Sequence, residues 1–233
     1  MTKEPDAGRH TAATAALALV RDGMRLGLGT GSTVRYFLDA LAGRVRREGL
    51  RVLGIPTSVR TEEQARALGI PLADFATIER LDLAIDGADE VERGTLRLIK
   101  GLGGALLREK IVAEAASQLV VIADPSKIVD RLGARTPLPV EVVRFGHEAT
   151  ARRIAALGAA PALRMSGNGP FLTDSGNLIY DCAGLSPMLD PRRLQGQLRA
   201  IAGVIETGLF LDGPELVLIG HADGRIDRLE RPA

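Results

Sequence analysis

The chain has 233 residues, 45% of them apolar, with 30 basic against 29 acidic side chains and a formal net charge of +1. That apolar share sets intrinsic disorder aside, and the even charge balance sets aside a protein that binds nucleic acid through a basic face. A single cysteine, Cys182, excludes a disulfide within the chain and any metal site made of several thiolates. Asp6, Arg9 and His10 precede the first apolar run, which is not a signal-peptide pattern, and no uncharged apolar stretch approaches the roughly 18 residues of a membrane helix. The expectation is a cytoplasmic protein with no membrane partner.

In chain order, Thr11 to Asp22 reads as an Ala-rich helix that ends before Gly23, and Met24 to Gly29 as a short apolar strand. Val34, Phe37, Leu38 and Leu41 then recur at i, i+3, i+4, i+7, the spacing of a helix with one buried face. Arg51 to Ile55 is a second strand, after which Thr57 or Ser58 caps a helix that Gly69 ends. Leu81 to Ile85 and Leu119 to Ala123 are further strands, with a helix from Ala105 to Ala116 between them. Short, wholly apolar strands alternating with helices predict an α/β protein whose parallel sheet is covered on both faces, spanning residues 1–136.

After Pro137 and Pro139 the pattern changes. Val140 to Phe145 is a strand, Thr150 to Leu157 a helix, and Ala162 to Met165 and Phe171 to Thr173 are short strands. The turn Asp174-Ser175-Gly176-Asn177 leads into a strand at Leu178 to Cys182. Asp190 as N-cap, Pro191 at the first position and Gly203 past the end bracket a helix, and Val204 to Phe210 is a strand. The order approaches β-α-β-β-α-β, so residues 137–210 are expected to form a smaller ferredoxin-like α+β domain. Leu216 to Gly220 is a last strand, through which 211–233 rejoin the first sheet.

The turn Gly29-Thr30-Gly31-Ser32-Thr33 follows a strand and opens a helix. Backbone N–H groups at such a turn point outward, the helix dipole adds positive charge, and three hydroxyls are at hand for a phosphate. An ordinary strand-to-helix turn capped by Ser32 or Thr33 has the same pattern. The turn lacks the Walker lysine and the dinucleotide spacing, which disfavours ATP and NAD. Asp86-Gly87-Ala88-Asp89 follows an apolar strand, where ligands of open α/β sheets bind. Its carboxylates suit sugar hydroxyls, proton transfer or a metal, or else cap nearby N–H groups in a turn.

Lys100-Gly101-Leu102-Gly103-Gly104 combines a cation with glycines that let backbone approach a ligand. Glu109 shares a helical stripe with Leu106 and Ala113. Partial burial there raises a carboxyl's pKa towards the range of a general base, whereas pairing with a neighbouring Arg or Lys on a wet surface is the ordinary alternative. Lys127, after Asp124-Pro125-Ser126, is either in reach of an anion in the same crevice or a solvated loop lysine. His10, His147 and His221 share no spacing of a metal pair or a triad, and Cys182 alternates with apolar residues as a small buried hydrophobe. Four polar clusters that all follow predicted strands or open helices are expected to converge on one sheet edge.

Five segments in order, Gly-Thr-Gly-Ser-Thr (29–33), Asp-Gly-Ala-Asp (86–89), Lys-Gly-x-Gly (100–103), Arg-Glu-Lys (108–110) and Pro-Leu-Pro-Val-Glu (137–141), resemble ribose-5-phosphate isomerase of the A type. The similarity runs over nearly the whole chain, including Ile-Pro-Thr-Ser at 55–58 and Asp-x-Gly-Asn at 174–177. The resemblance implies a Rossmann-like domain with a smaller α+β domain, and a homodimer or homotetramer. It implies an aldose–ketose isomerase that interconverts D-ribose 5-phosphate and D-ribulose 5-phosphate through an enediolate, in the non-oxidative branch of the pentose phosphate pathway, with no metal or organic cofactor. By matching position it implies Glu109 as the base, with Asp86, Asp89 and Lys100 as further catalytic groups. Gly29, Thr30, Gly31, Ser32, Thr33, Asp86, Gly87, Ala88, Asp89, Lys100, Gly101, Leu102, Gly103 and Lys127 are implied to line the substrate. One departure stands out. The family stretch after the lysine is often Gly-Gly-Gly-Ala-Ala, and here it reads Gly101-Leu102-Gly103-Gly104-Ala105. A positive φ at position 102 would strain Leu102, and its bulk would narrow the site. Two other readings stay open: a related amino-sugar-phosphate isomerase/deaminase, and a non-catalytic sugar-phosphate sensor, which has no need of Glu109.

Overall fold

Nearly wholly apolar strands can only sit where both faces are covered, and Leu83–Asp86, Leu119–Ala123 and Leu216–Gly220 are buried along their whole length. In the computed structural model, which describes residues 4–185 and 190–231, the chain divides into two compact units. The first runs through Ala88, returns over Arg108–Lys127 and resumes from Gly213; the second comprises Asp89–Leu107 and Ile128–Asp212. Of the expected domain spans, residues 1–3, 186–189 and 232–233 lie outside the described residues.

The first unit is a six-stranded sheet in the order Ile226–Glu230, Leu216–Gly220, Leu119–Ala123, Leu83–Asp86, Arg25–Leu28, Leu53–Pro56. Every pairing is parallel except that of the outer strand Ile226–Glu230. Leu26, Leu28, Leu83, Ile85, Val120, Ile122, Leu216 and Leu218 face one way and pack with Ala12, Ala13 and Ala16 of helix Glu4–Leu17 and with Val34, Phe37, Leu38 and Leu41 of helix Ser32–Glu48. On the opposite face helix Leu106–Ala115 comes so close that a Cβ on Gly27 would lie 2.5 Å from a methyl of Val112. The parallel α/β sheet with helices on both faces is therefore as expected.

The first helix differs from the reading of the sequence. It spans Glu4–Leu17, not Thr11 to Asp22. Thr11 and Thr14 sit inside it, each hydroxyl donating to the carbonyl one turn back, Ala7 and His10 respectively, at 2.9 Å. Asp22 lies in the following loop, where the Arg51 guanidinium and backbone N–H hold its carboxyl down to about 2. Gly8 lets the helix approach the sheet edge-on: a Cβ on Gly220 would collide with the Gly8 carbonyl and stand 2.5 Å from Ala12 N. Gly220→Ala is expected to destabilise the protein by about 2 kcal/mol through overpacking, measured as a shift in the urea midpoint at unchanged slope.

The second unit carries an antiparallel sheet in the order Val204–Thr207, Leu138–Val142, Leu178–Ala183, Ala160–Leu163. With helices His147–Ala155 and Pro191–Arg199 the chain order is strand-helix-strand-strand-helix-strand, the ferredoxin-like arrangement. Leu138, Val140, Val142, Leu178, Tyr180 and Cys182 alternate onto the face that packs with Ile154 and Leu198. Asp190 caps its helix by accepting from Arg193 N at 3.0 Å, with Pro191 at the first position. Burial pushes the Cys182 thiol up to about 12, so it is an inert part of this core.

Other segments expected as strands differ in the structure, and two show why. Val204 to Phe210 is two strands, because Gly208 breaks the run: its N–H donates to Pro139 O at 2.8 Å and its carbonyl accepts from Lys100 N at 2.9 Å. Leu209–Phe210 thereby leaves for a second small sheet with Leu98–Ile99, Glu90–Glu92 and Ile128–Val129. Phe171 to Thr173 is not a strand. The Thr173 hydroxyl donates to buried Glu141 at 3.0 Å and accepts from Asn177 N at 3.1 Å, which commits the segment to a turn. Among the described residues no helix is long and apolar enough to cross a membrane.

Candidate active site

The order of the parallel strands fixes where a ligand would sit in the first unit. From Arg25–Leu28 the chain crosses to Leu53–Pro56 on one side, then returns to Leu83–Asp86 on the other. That reversal is a topological switch point, and the crevice beyond the carboxyl ends of the two strands is the usual binding place of such sheets. Gly29–Thr33 and Asp86-Gly87 lie there.

The two turns are stitched together. Gly29 N–H donates to Ile85 O at 2.9 Å, and Thr30 N–H and Gly87 N–H both donate to Asp86 Oδ1, at 3.0 and 2.7 Å. A Cβ on Gly29 would overlap the Asp86 carboxyl and crowd its Cα, so only glycine permits this approach. Gly31, with φ of 132°, is the N-cap of helix Ser32–Glu48, and as a glycine it has no side chain with which to cap the first turn. Neither Ser32 nor Thr33 is the cap: Ser32 is exposed and Thr33 buried. The first amides of a 17-residue helix, with its positive dipole end, thus open beside the Asp86 turn.

The Thr30 hydroxyl faces inward, not outward. It donates to Ser58 Oγ at 2.8 Å, Ser58 Oγ donates to Thr61 Oγ1 at 3.0 Å, and Thr61 Oγ1 donates to Gly29 O at 2.9 Å. A hydroxyl has one proton, so the 2.7 Å contact between Thr57 and Thr30 must be donated by Thr57. The result is a one-way chain of donors, Thr57 to Thr30 to Ser58 to Thr61, that ends on the turn it braces. Ser58 is also the helix cap, accepting from Thr61 N at 3.1 Å. Thr61 had no sequence signal beyond a hydroxyl one turn after the cap.

Asp86 is 3% exposed and Glu109 4%, so the wet-surface reading of Glu109 is overturned. Helix Leu106–Ala115 ends at the amino edge of the sheet, where Leu81 N donates to Ala115 O at 2.9 Å and Leu81 bridges to Ala116. Glu109 is six residues back from Ala115, about 9 Å along the axis towards the carboxyl edge. Lys127, half-buried, ends the turn Pro125–Lys127 after strand Leu119–Ala123 and so belongs to that same edge. The turn is held by Asp124, which accepts from Ser126 N at 2.9 Å and from the Ser126 hydroxyl.

The second unit holds the remaining residues. Asp89 N–H donates to Ile99 O at 2.9 Å, and Asp89 Oδ2 accepts from Leu102 N at 2.9 Å, which ties Asp89 to the glycine-rich turn. Lys100 is buried, its ammonium 5.6 Å from the centre of the Phe210 ring. In the turn the positive φ values fall on Gly101 (107°) and Gly104 (84°), and Leu96 is the one positive-φ residue other than glycine among the described residues. Leu102 is therefore unstrained, which corrects the concern about that substitution; its side chain is 40% exposed. Arg164, which no pattern singled out, reaches the carbonyls of Gly101 and Leu102 at 2.8 and 3.1 Å.

Comparison with known proteins agrees over most of the chain. The family model for ribose 5-phosphate isomerase A (phosphoriboisomerase A) matches residues 53–224. A ribose-5-phosphate isomerase A from a Synechococcus species is 52% identical over 217 residues, covering 93% of this chain and 94% of its own. The structure of ribose 5-phosphate isomerase A from Methanocaldococcus jannaschii superposes with a TM-score of 0.91 at 40% identity, covering 96% of this chain and 98% of that one. A D-ribose-5-phosphate isomerase in complex with phospho-erythronic acid gives 0.93 at 37% identity, covering 99% and 100%.

Proposed function

Because the chain belongs to the ribose 5-phosphate isomerase A family, whose members interconvert ribose 5-phosphate and ribulose 5-phosphate, we propose that Glu109 is the base that carries the proton between C2 of the aldose and C1 of the ketose. The observation that carries the reading is a carboxylate buried at 4% exposure on a helix whose start points to the carboxyl edge of the sheet. Water is kept from such a group, and its basicity is then available to a carbon acid.

The reaction needs the open-chain sugar. Glu109 takes the C2 proton, and the electron pair left behind forms the C1–C2 double bond of an enediolate as the carbonyl oxygen becomes negative. The proton then returns at C1, and a hydroxyl proton passes from O2 to O1. Lys100 and the amides of the turn 101–103 supply positive charge for that oxygen. Asp86 and Asp89 relay hydroxyl protons and assist ring opening. The open helix start at Gly31-Ser32-Thr33 holds the phosphate, with Lys127 as a further cation, and binding this unreactive end positions the carbons that react. Thr30 contributes by bracing the turn, with Gly87 and Ala88 as backbone wall. Phospho-erythronic acid joins a phosphate to a carboxylate, and the carboxylate resembles the enediolate in charge and shape; this chain is proposed to bind it as its relative does. The chain is further proposed to act in the cytoplasm as a homodimer or homotetramer, as its resemblance to the family implies.

The test is incubation of the purified protein with ribose 5-phosphate in deuterium oxide and EDTA. The expected product is ribulose 5-phosphate with deuterium at C1, formed at an undiminished rate with the chelator. Ketose free of deuterium at every extent of reaction would argue for hydride transfer and against Glu109 as base.

A further inference from the structure

The turn after Lys100 is held by the side chain of Arg164. Arg164 lies just past strand Ala160–Leu163, and its backbone is fixed by bonds from Arg164 N to Ile179 O at 2.8 Å and from Phe171 N to Arg164 O at 2.9 Å. Nη1 donates to Gly101 O and Leu102 O, at 2.8 and 3.1 Å. Nε and Nη2 donate to the two carboxylate oxygens of Asp181, at 2.9 and 2.5 Å. Four of the five guanidinium donors are thus committed, in a fork that lysine cannot reproduce. The guanidinium also lies 5.8 Å from the centre of the Phe171 ring, and that ring fills the space where a side chain on Gly104 would go.

Holding a carbonyl also aims an amide. The peptide is planar and trans, so the N–H of the next residue points opposite to the carbonyl. With Gly101 O on Arg164, Leu102 N–H is turned the other way, and there it donates to Asp89 Oδ2 at 2.9 Å. With Leu102 O on Arg164, Gly103 N–H is likewise turned away from the guanidinium. We propose that Arg164, clamped by Asp181, is a positioning residue of the isomerase: it locks two successive peptides so that the Gly103 amide is presented to the enediolate oxygen and Asp89 is held in register beside it. The proposal rests on the reading of Lys100 to Gly103 as substrate-lining. Asp181 has no part in the chemistry and acts only through Arg164.

The experiment compares the full chain with its Arg164→Lys and Asp181→Asn variants. Four quantities are measured: kcat and KM for ribose 5-phosphate, the inhibition constant of phospho-erythronic acid, and the urea midpoint. Arg164→Lys is expected to lower kcat by about 10- to 100-fold, the scale of a partly misplaced oxyanion donor, with KM changed less than about threefold. Inhibitor affinity should fall by the same factor as kcat/KM, because both report binding of the enediolate charge. Asp181→Asn should show the same split at smaller size. A merely structural role would instead lower the active fraction, leaving KM and the inhibition constant of the remainder unchanged, and that result would overturn the proposal. So would near-normal turnover in both variants. Failure of the underlying reading is seen separately, as unmutated protein that yields no ribulose 5-phosphate, and it would overturn both.

Discussion

Replacing Glu109 with Gln is expected to lower kcat for ribose 5-phosphate by roughly a thousandfold while KM stays within about threefold. The two side chains have the same length and nearly the same shape, and Glu109 is almost wholly buried. The exchange therefore removes basicity with little change in packing. The phosphate site proposed at the start of helix Ser32–Glu48 is untouched by the exchange, so titration calorimetry with phospho-erythronic acid should still show binding. Glu109→Asp keeps the carboxylate but withdraws it by one methylene, and its kcat should fall between the two. A Gln variant with near-normal kcat would end the assignment of Glu109 as base.

Glu90→Ala is expected to destabilise the protein by about 4 kcal/mol, the largest stability loss anticipated for any single substitution outside the hydrophobic core. Glu90 follows Asp89 directly but serves a different end. It is 0% exposed, and its carboxylate accepts from Gly133 N at 2.6 Å, Arg135 N at 2.7 Å and Thr136 N at 2.8 Å. One buried charge thus satisfies three amides of the loop that leads into strand Leu138–Val142. Alanine strands all three, and each orphaned amide costs about 1–3 kcal/mol. Glutamine should recover less than half, because its NH₂ group would face a donor where the carboxylate presented an acceptor. Urea unfolding gives the stability loss. An Ala variant within about 1 kcal/mol of the parent would mean that the loop finds other acceptors.

Much of the fold could be read from the sequence where burial is uniform. Leu119–Ala123 and Leu216–Gly220 are apolar runs, and their observed limits match the expected ones. Legibility failed where tertiary partners decide. Gly208 reads as one residue in a strand, yet it is the point where the chain changes sheets, because Pro139 and Lys100 claim its backbone. The first helix begins earlier than its apolar pattern, since its opening turns are polar and only Gly8 against Gly220 shows why the backbone comes so near.

The site divides in the same way. Gly29 and Asp86 were each legible as the end of a strand, but the bonds that join their turns, Thr30 N–H to Asp86 Oδ1 and Gly29 N–H to Ile85 O, each span 56 positions and have no local signal. Glu109 was legible as an acid on an apolar stripe, and only packing determines whether such a group is wet or dry. Arg164 and Asp181 were invisible, being single polar residues, one just past strand Ala160–Leu163 and the other on its neighbour Leu178–Ala183, brought together only by the pairing of those strands. Leu102 looked like a strained intruder until the positive φ values fell on its glycine neighbours.

The chain passes between its two units at residues 88–89, 107–108, 127–128 and 212–213. Strand Leu216–Gly220 lies inside the parallel sheet, beside Leu119–Ala123, and Glu215 accepts from Leu119 N across 96 positions. During synthesis, then, Leu119–Ala123 leaves the ribosome with one edge unpaired and waits for most of the second unit to be made before its neighbour arrives. Such late, distant pairing is slow and leaves an apolar strand edge open to other nascent chains. A chaperone that shields that edge should raise the yield of active enzyme without altering its stability once folded.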